Sequence, residues 1–243
     1  MRRTLKIAHG SDIHLDTDHY GGTDTLGQRD YCRGVFQTLL DRVVAQAPHL
    51  MLLPGDLFDS NRASHDTILW AMEAIGRLPF PVVMIPGNHD CLEAGAIYLR
   101  HDFNRIPNTR LLMAADGEMA TIPELGVNVW GKGMVDHSPE FSPLGGLPPA
   151  LAGAWNLALG HGIYVGRDGH SHRSSPVEAR QIEASGYDYI ALGHHHALLK
   201  VSSGKTSAYY CGAPIPISKG SQGTFVMVTL EDGQPTSVDI HKL

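Results

Sequence analysis

A chain of 243 residues, 42% hydrophobic and 18% charged, is long enough to bury one sizeable core and reads as a globular protein. Its 19 basic and 25 acidic side chains give a formal net charge of -6, which excludes an overall basic field that would gather long DNA or anionic membrane. Three cysteines, Cys32, Cys91 and Cys211, without C-x-x-C spacing argue against a disulfide framework and for a reducing compartment. The apolar residues after Met1-Arg2-Arg3 are too few for a signal segment, and no run approaches the roughly 18 apolar residues of a membrane span, so the expectation is a cytoplasmic protein away from membranes.

In chain order, residues 5–8 read as a first strand, after which the Gly10-Ser11 turn presents Asp12, His14 and Asp16. Across residues 31–47, Cys32, Val35, Phe36, Leu39, Leu40, Val43, Val44 and Ala47 repeat at helical spacing and predict an amphipathic helix. Residues 50–53 are wholly apolar and closed by Pro54-Gly55, a strand covered on both faces, followed by Asp56 and Asp59. Ser64 reads as an N-cap with Asp66 in the first turn, opening a helix whose core side is Ile68, Leu69, Met72 and Ile75.

The β-branched run 82–85 then stops at Pro86-Gly87 and delivers Asn88, His89 and Asp90 to one point. Strand, helix, strand, helix, strand builds a parallel sheet through right-handed crossovers, and ligands collect beyond the carboxyl ends of such strands. Residues 111–113 and 127–130 are expected strands. Residues 131–153, with four prolines and Gly145-Gly146, read as a long loop, either a wall of a substrate cleft or a surface insertion.

A fourth strand at 156–159 leads into Gly160-His161. Ser175 and Glu178 read as a capping box with Pro176 at the first helical position and Gly186 past the end. The strand 189–192 ends in Gly193-His194-His195-His196, where alternation turns His195 away from its neighbours. Residues 207–211, 224–230 and 237–241 are expected in a more antiparallel half, with a turn at Asp232-Gly233. With no repeat or linker, one domain over 1–243 is the expectation.

Five strand ends therefore carry metal-competent side chains: Asp12 with His14, Asp56, Asn88 with His89, His161, and His194 with His196. A lone histidine after a strand is usually a turn or core residue, but five such clusters behind glycine or short turns do not read as packing. Imidazole and carboxylate donors without thiolate suit two divalent ions, Mn first, with Fe, Zn, Co or Ni as alternatives. Two ions about 3.5–4 Å apart can share a carboxylate, hold a bridging hydroxide and neutralise a phosphate during in-line displacement. Phosphoester hydrolysis is the chemistry that needs this.

Asp12-x-His14, Gly55-Asp56, Gly87-Asn88-His89-Asp90, Gly160-His161 and Gly193-His194-x-His196 stand in the order of the calcineurin-like metallophosphoesterase superfamily, which this chain resembles over nearly its whole length. The resemblance implies an α/β fold, a four-layer α/β/β/α sandwich of two mixed sheets flanked by helices. It also implies that Asp12, His14, Asp56 and His196 hold one ion and Asp56, Asn88, His161 and His194 the other. His89 would face substrate as the general acid. Asp59 could accept from the second ring nitrogen of His89 and fix its tautomer, or cap the loop toward Ser64.

Ser11 to Asp16, Gly55 to Asp59 and Tyr210-Cys211-Gly212-Ala213-Pro214-Ile215-Pro216 resemble, more narrowly, the SbcD-type DNA-repair exonucleases. Those nucleases continue into a DNA-contacting cap domain and an ATPase-docking segment that are not found before Leu243, so the expectation is diester hydrolysis rather than processive duplex cleavage. The expected partner is a phosphodiester, with single-stranded nucleic acid and nucleotides among the candidates. The alternatives are a phosphomonoesterase and a non-catalytic scaffold of the same fold. Arg62, His137 and His170 are candidate substrate contacts, with solvated loop side chains as the other reading.

Overall fold

The computed structural model describes residues 2–17, 25–167, 169–172, 174–215 and 222–243. Pro216, which ends the motif that begins at Tyr210, and Asp168, in the loop before His170, lie outside the described residues. Strand β1 (Leu5–His9) places Leu5, Ile7 and His9 on one face and Ala8 on the other. The next strands, β2 (Leu50–Pro54) and β3 (Val82–Ile85), are buried on both faces, as their unbroken apolar runs require. They pair in parallel with β1 and with β4 (Thr109–Leu111), through helices α1 (Thr25–Ala45) and α2 (His65–Gly76). β13 (Thr224–Leu230) pairs antiparallel with β1, and β14 (Ser237–Lys242) antiparallel with β13, which completes this six-stranded sheet in the order β14-β13-β1-β2-β3-β4.

A second six-stranded sheet runs β11-β12-β10-β7-β6-β5. Its members are β5 (Glu118–Ile122), β6 (Val127–Gly131), β7 (Trp155–His161), β10 (Tyr189–Gly193), β11 (Leu198–Lys200) and β12 (Ser207–Cys211). A two-stranded ribbon, β8 (Ile163–Gly166) with β9 (Pro176–Glu178), lies between β7 and helix α4 (Ala179–Ser185) in the chain; α3 (Ile97–Arg100) is a single turn.

Three apolar clusters define the layers. Phe36, Leu39, Ile68 and Ile75 of α1 and α2 meet Ala8, Met51, Leu53 and Met84 on the outer face of the first sheet. Leu5, Ile7, Leu50, Leu52 and Val83 meet Val129, Leu157, Leu159 and Ala191 between the sheets. Val177, Ile182 and Tyr187 cover Ala158, Ile190, Leu192 and Ala208 on the far side. The protein is thus the expected α/β/β/α sandwich. Among the described residues no helix is long and apolar enough to cross a membrane.

Several local expectations shift. α1 begins at Thr25, ahead of the apolar repeat, where the Arg29 guanidinium pairs with Asp16 at 2.7 Å, and it ends at Ala45 with Val44 exposed. In α2, Ser64 Oγ accepts from Thr67 N as expected, but Leu69 is 48% exposed and Thr67, Ala71 and Ala74 complete the buried face. The expected strand 111–113 lies two residues earlier, as β4. α4 is not capped by Ser175, and Pro176 does not start it: 176–178 form β9, an edge where a missing N–H is tolerated, and the capping box is Glu178 with Gln181. Gly186 closes α4 in the left-handed conformation as expected. β12 is antiparallel on one side only: it pairs antiparallel with β11 but in parallel with β10. The short strands β5, β8 and β11 had no clear sequence signal.

Candidate active site

The loops after β1 and β2 are zipped together. Asp12 N donates to Gly55 O, Ile13 N and His14 N to Asp56 O, Leu15 N to Leu57 O, and Asp59 N back to Leu15 O. Asp12, His14 and Asp56 all sit at positive φ (55°, 51° and 54°), which costs a non-glycine residue of the order of 1 kcal/mol each. The shared hydrogen bonds hold that strain, and such strain gathers where side chains must be aimed.

The loop after β3 is held by Asp90. Its buried carboxylate accepts from Gly87 N at 2.7 Å, Leu57 N at 3.0 Å, Phe58 N at 3.2 Å and the Tyr98 hydroxyl at 2.6 Å, so one side chain braces two loops. Burial, with Asp56 nearby, raises its pKa against the pull of those hydrogen bonds. Gly87 is required by close approach: a Cβ there would lie 2.2 Å from Asp56 Oδ1.

The second sheet is drawn in through His161 and His194. His161 Nδ1 donates to Pro54 O at 2.8 Å, and His194 N donates to both Asp12 carboxylate oxygens at 3.0 and 3.2 Å. His194, next along the chain from β10, is also at positive φ, 97°.

The seven expected ligands converge. His14 Nε2 is 3.1 Å from His196 Nε2 and 3.8 Å from Asp56 Oδ2, while His196 Nε2 is 3.6 Å from Asp12 Oδ1. On the other side His161 Nε2 is 3.3 Å from Asp56 Oδ2 and 2.9 Å from Asn88 Oδ1, which is 2.8 Å from His194 Nδ1. Asp56 lies between the two groups.

The donor set fits divalent cations. Asp59 Oδ1 accepts from His14 Nδ1 at 3.0 Å and Pro54 O accepts from His161 Nδ1 at 2.8 Å, so the Nε2 atom of each ring is turned to the cluster. Without added positive charge the cluster shares protons. Burial pushes His161 down, but Asp56 outweighs it and holds the imidazole up at about 9. Burial and the neighbouring His161 push His194 down to about 3. Burial opposes ionisation of Asp56, yet His161 and His14 hold its carboxyl below the usual range.

Asp59 does not form the expected dyad. Its carboxylate serves His14 and stays 3.8 Å from His89 Nδ1, which donates instead to the Asp59 main-chain carbonyl at 2.7 Å. Nor does Asp59 cap toward Ser64, whose N–H is taken by Asp16. His89 stands part-exposed with its ring edge-on to His14 at 4.6 Å, and one of its nitrogens lies within 4.8 Å of donors from His14 and Asp56. His195 turns away onto the Tyr210 ring as expected, but from a bend at His194 rather than from extended strand.

Arg62 is exposed, and among the described residues its side chain has no hydrogen-bond or ion-pair partner. His170 is exposed in a shallow pocket with Tyr164, Val165 and His172 and makes no contact with the cluster. His137, from the long loop, is brought to the cluster, its ring 5.1 Å from that of His194. The role of Tyr98 had no signal in the sequence, because it reaches Asp90 from a separate turn.

Two mixed sheets between helices, with imidazoles and carboxylates gathered at their carboxyl edges, define a metallophosphoesterase architecture. The chain belongs to the calcineurin-like phosphoesterase family, whose profile matches residues 5–198. That family comprises metal-dependent phosphoester hydrolases that typically bind two divalent ions. A solved crystal structure is similar at 14% identity, with a TM-score of 0.62 over 99% of this chain and 99% of that one; at such identity the likeness concerns the fold alone.

Proposed function

We propose that this protein is a dinuclear metal-dependent phosphodiesterase of nuclease-like type, acting on short single-stranded nucleic acid, a nucleotide or another small diester. The observation that carries the proposal is the position of Asp56, whose Oδ2 is 3.3 Å from His161 Nε2 and 3.8 Å from His14 Nε2, within reach of two donor sets. Asp12, His14, Asp56 and His196 would hold one ion, and Asp56, Asn88, His161 and His194 the other. Mn suits these borderline donors, with Fe, Zn, Co or Ni as alternatives. Such ions supply charge neutralisation at phosphorus and acidify a nucleophilic water.

The chain's own groups favour a diester. Among the described residues no lysine or arginine pairs with the cluster, so none of the described pairs forms a cationic clamp of the kind that suits a dianionic monoester. His89, tethered through Nδ1, leaves Nε2 free to hold a proton for the leaving oxygen. The SbcD-like motifs support a nucleic-acid substrate, and three free thiols support a cytoplasmic setting. The test is Mn-supported turnover of an aryl diester against the matching monoester, with single-stranded DNA and cyclic nucleotides in the same panel. Faster diester turnover is expected; a preference for the monoester refutes the proposal.

A further inference from the structure

We propose that His137 contacts substrate, its Nε2 donating to a non-bridging oxygen of the bound phosphoryl group beside His194. This rests on the phosphoester reading of the site. Three observations point to it.

The His137 ring meets His194 edge-on, with centroids 5.1 Å apart and planes at 61°. Its Nε2 is shielded from solvent and has no hydrogen-bond partner. A buried polar atom left unpaired costs free energy, so packing alone gives no reason to keep an imidazole there.

The segment is also pinned on both sides of His137. Met134 O accepts from Leu92 N at 2.8 Å, which ties the loop to the chain just beyond Asn88 and His89. Ser138 O accepts from the buried Ser175 hydroxyl at 3.2 Å, which ties it to the start of β9. A long loop anchored one residue after the histidine and three before it holds that ring against the cluster without strand or helix, the order a contact residue needs.

His137 also stands outside the donor groups. The sets of three donors lying within 4.8 Å of one another are drawn from Asp12, His14, Asp56, His89, His161 and His196, and none includes His137. His194 lies outside those sets as well, so the metal content of the variants below is what separates a contact residue from an ion-holding one. Among the described residues no arginine or lysine is paired with the cluster, and an imidazole N–H is a donor suited to a singly charged phosphoryl group.

The test uses His137→Phe, which keeps a ring against His194 but removes the donor, and His137→Gln, which restores an N–H. Metal content after Mn loading is expected to stay at the wild-type value in both. The Kd of inorganic phosphate for the Mn-loaded protein, measured by calorimetry, should weaken about tenfold in His137→Phe, the scale of one lost hydrogen bond, and recover to within about threefold in His137→Gln. The KM of an aryl diester should rise by a similar factor in the Phe variant. Loss of Mn from both variants overturns the inference by making His137 a metal ligand. Unchanged phosphate affinity in His137→Phe, equal weakening in both variants, or no phosphate binding by the loaded wild type also overturns it. Because the phosphate arm does not depend on which ester is hydrolysed, a monoester preference refutes the diesterase proposal and leaves this result standing.

Discussion

Replacing Gly87 by alanine tests whether the backbone of the β3 loop sets the position of Asp56. The added Cβ would lie 2.2 Å from Asp56 Oδ1, 2.5 Å from Asp56 N and 2.8 Å from Asp56 Cγ. Ordinary carbon–oxygen contacts close at about 3.3 Å, so the carboxylate must withdraw by roughly 1 Å. It has no easy retreat: Asp56 O accepts from Ile13 and His14, and Asp56 Oδ1 accepts from His89 N at 2.9 Å. Metal donors tolerate displacements of only about 0.2 Å, so both ion positions that share Asp56 are disturbed together. Mn affinity is expected to fall about 100-fold or more, and the metal-free protein to lose about 1–3 kcal/mol from overpacking. Calorimetric Mn titration with metal analysis measures the first, and urea unfolding of the metal-free protein the second. Gly153→Ala is the control, a glycine at φ 83° with open space around its Cβ position, where only backbone strain is introduced. Binding of Mn by Gly87→Ala with wild-type stoichiometry and affinity would refute the reasoning.

Asp59→Ala should weaken Mn binding about 10–100-fold by freeing His14, yet leave kcat at saturating Mn within a few-fold because His89 is tethered by a main-chain carbonyl; a collapse of kcat at saturating metal would return the carboxylate to His89. His89→Asn should retain metal while turnover falls about 100-fold, the scale of general acid help, and metal loss on analysis would make His89 a ligand instead. His9 supplies a pH test apart from the site. It bridges the sheets through a 2.9 Å bond between Nδ1 and the Tyr189 hydroxyl, and burial pushes its pKa down to about 3 from 6.5. Between those values the unfolded chain binds the extra proton, so stability is lost as the pH drops through that window, by about 2 kcal/mol at pH 5. His9→Gln should be less stable at pH 8 but show a shallower acid limb in urea midpoints; an unchanged limb would rule His9 out as its source.

The sequence by itself determined the alternation of strands and helices from β1 to β3, because unbroken apolar runs and helical spacing are local properties of the chain. It also determined the clusters of metal-competent donors, because each lies at or within a few residues of its own strand's end: Asp12, Asp56, Asn88 and His194 just beyond theirs, and His161 as the last residue of β7. Short elements carried less signal. β5, β8 and β11 bury little of their length, and α4 begins where pairing of β9 with β8 ends rather than where a serine and a proline suggested. Leu69 faces solvent because the neighbouring sheet takes a different side of α2 than the apolar residues alone implied.

Tertiary structure alone decided the partnerships. Asp59 is three residues from Asp56, a spacing that suits a partner of His89, but the zipped β1 and β2 loops carry its carboxylate to His14, and its carbonyl is what reaches His89. Asp90 could be assigned to the turn, but not to Tyr98 or to the amides of Leu57 and Phe58. His137 stood in a proline-rich stretch without periodicity, and only the tethers at Met134 and Ser138 bring it beside His194. The reason is the same in each case. A donor's type and its distance from a strand end are written in the nearby chain, whereas its partner is fixed by sheet order and loop contacts that join residues far apart in sequence.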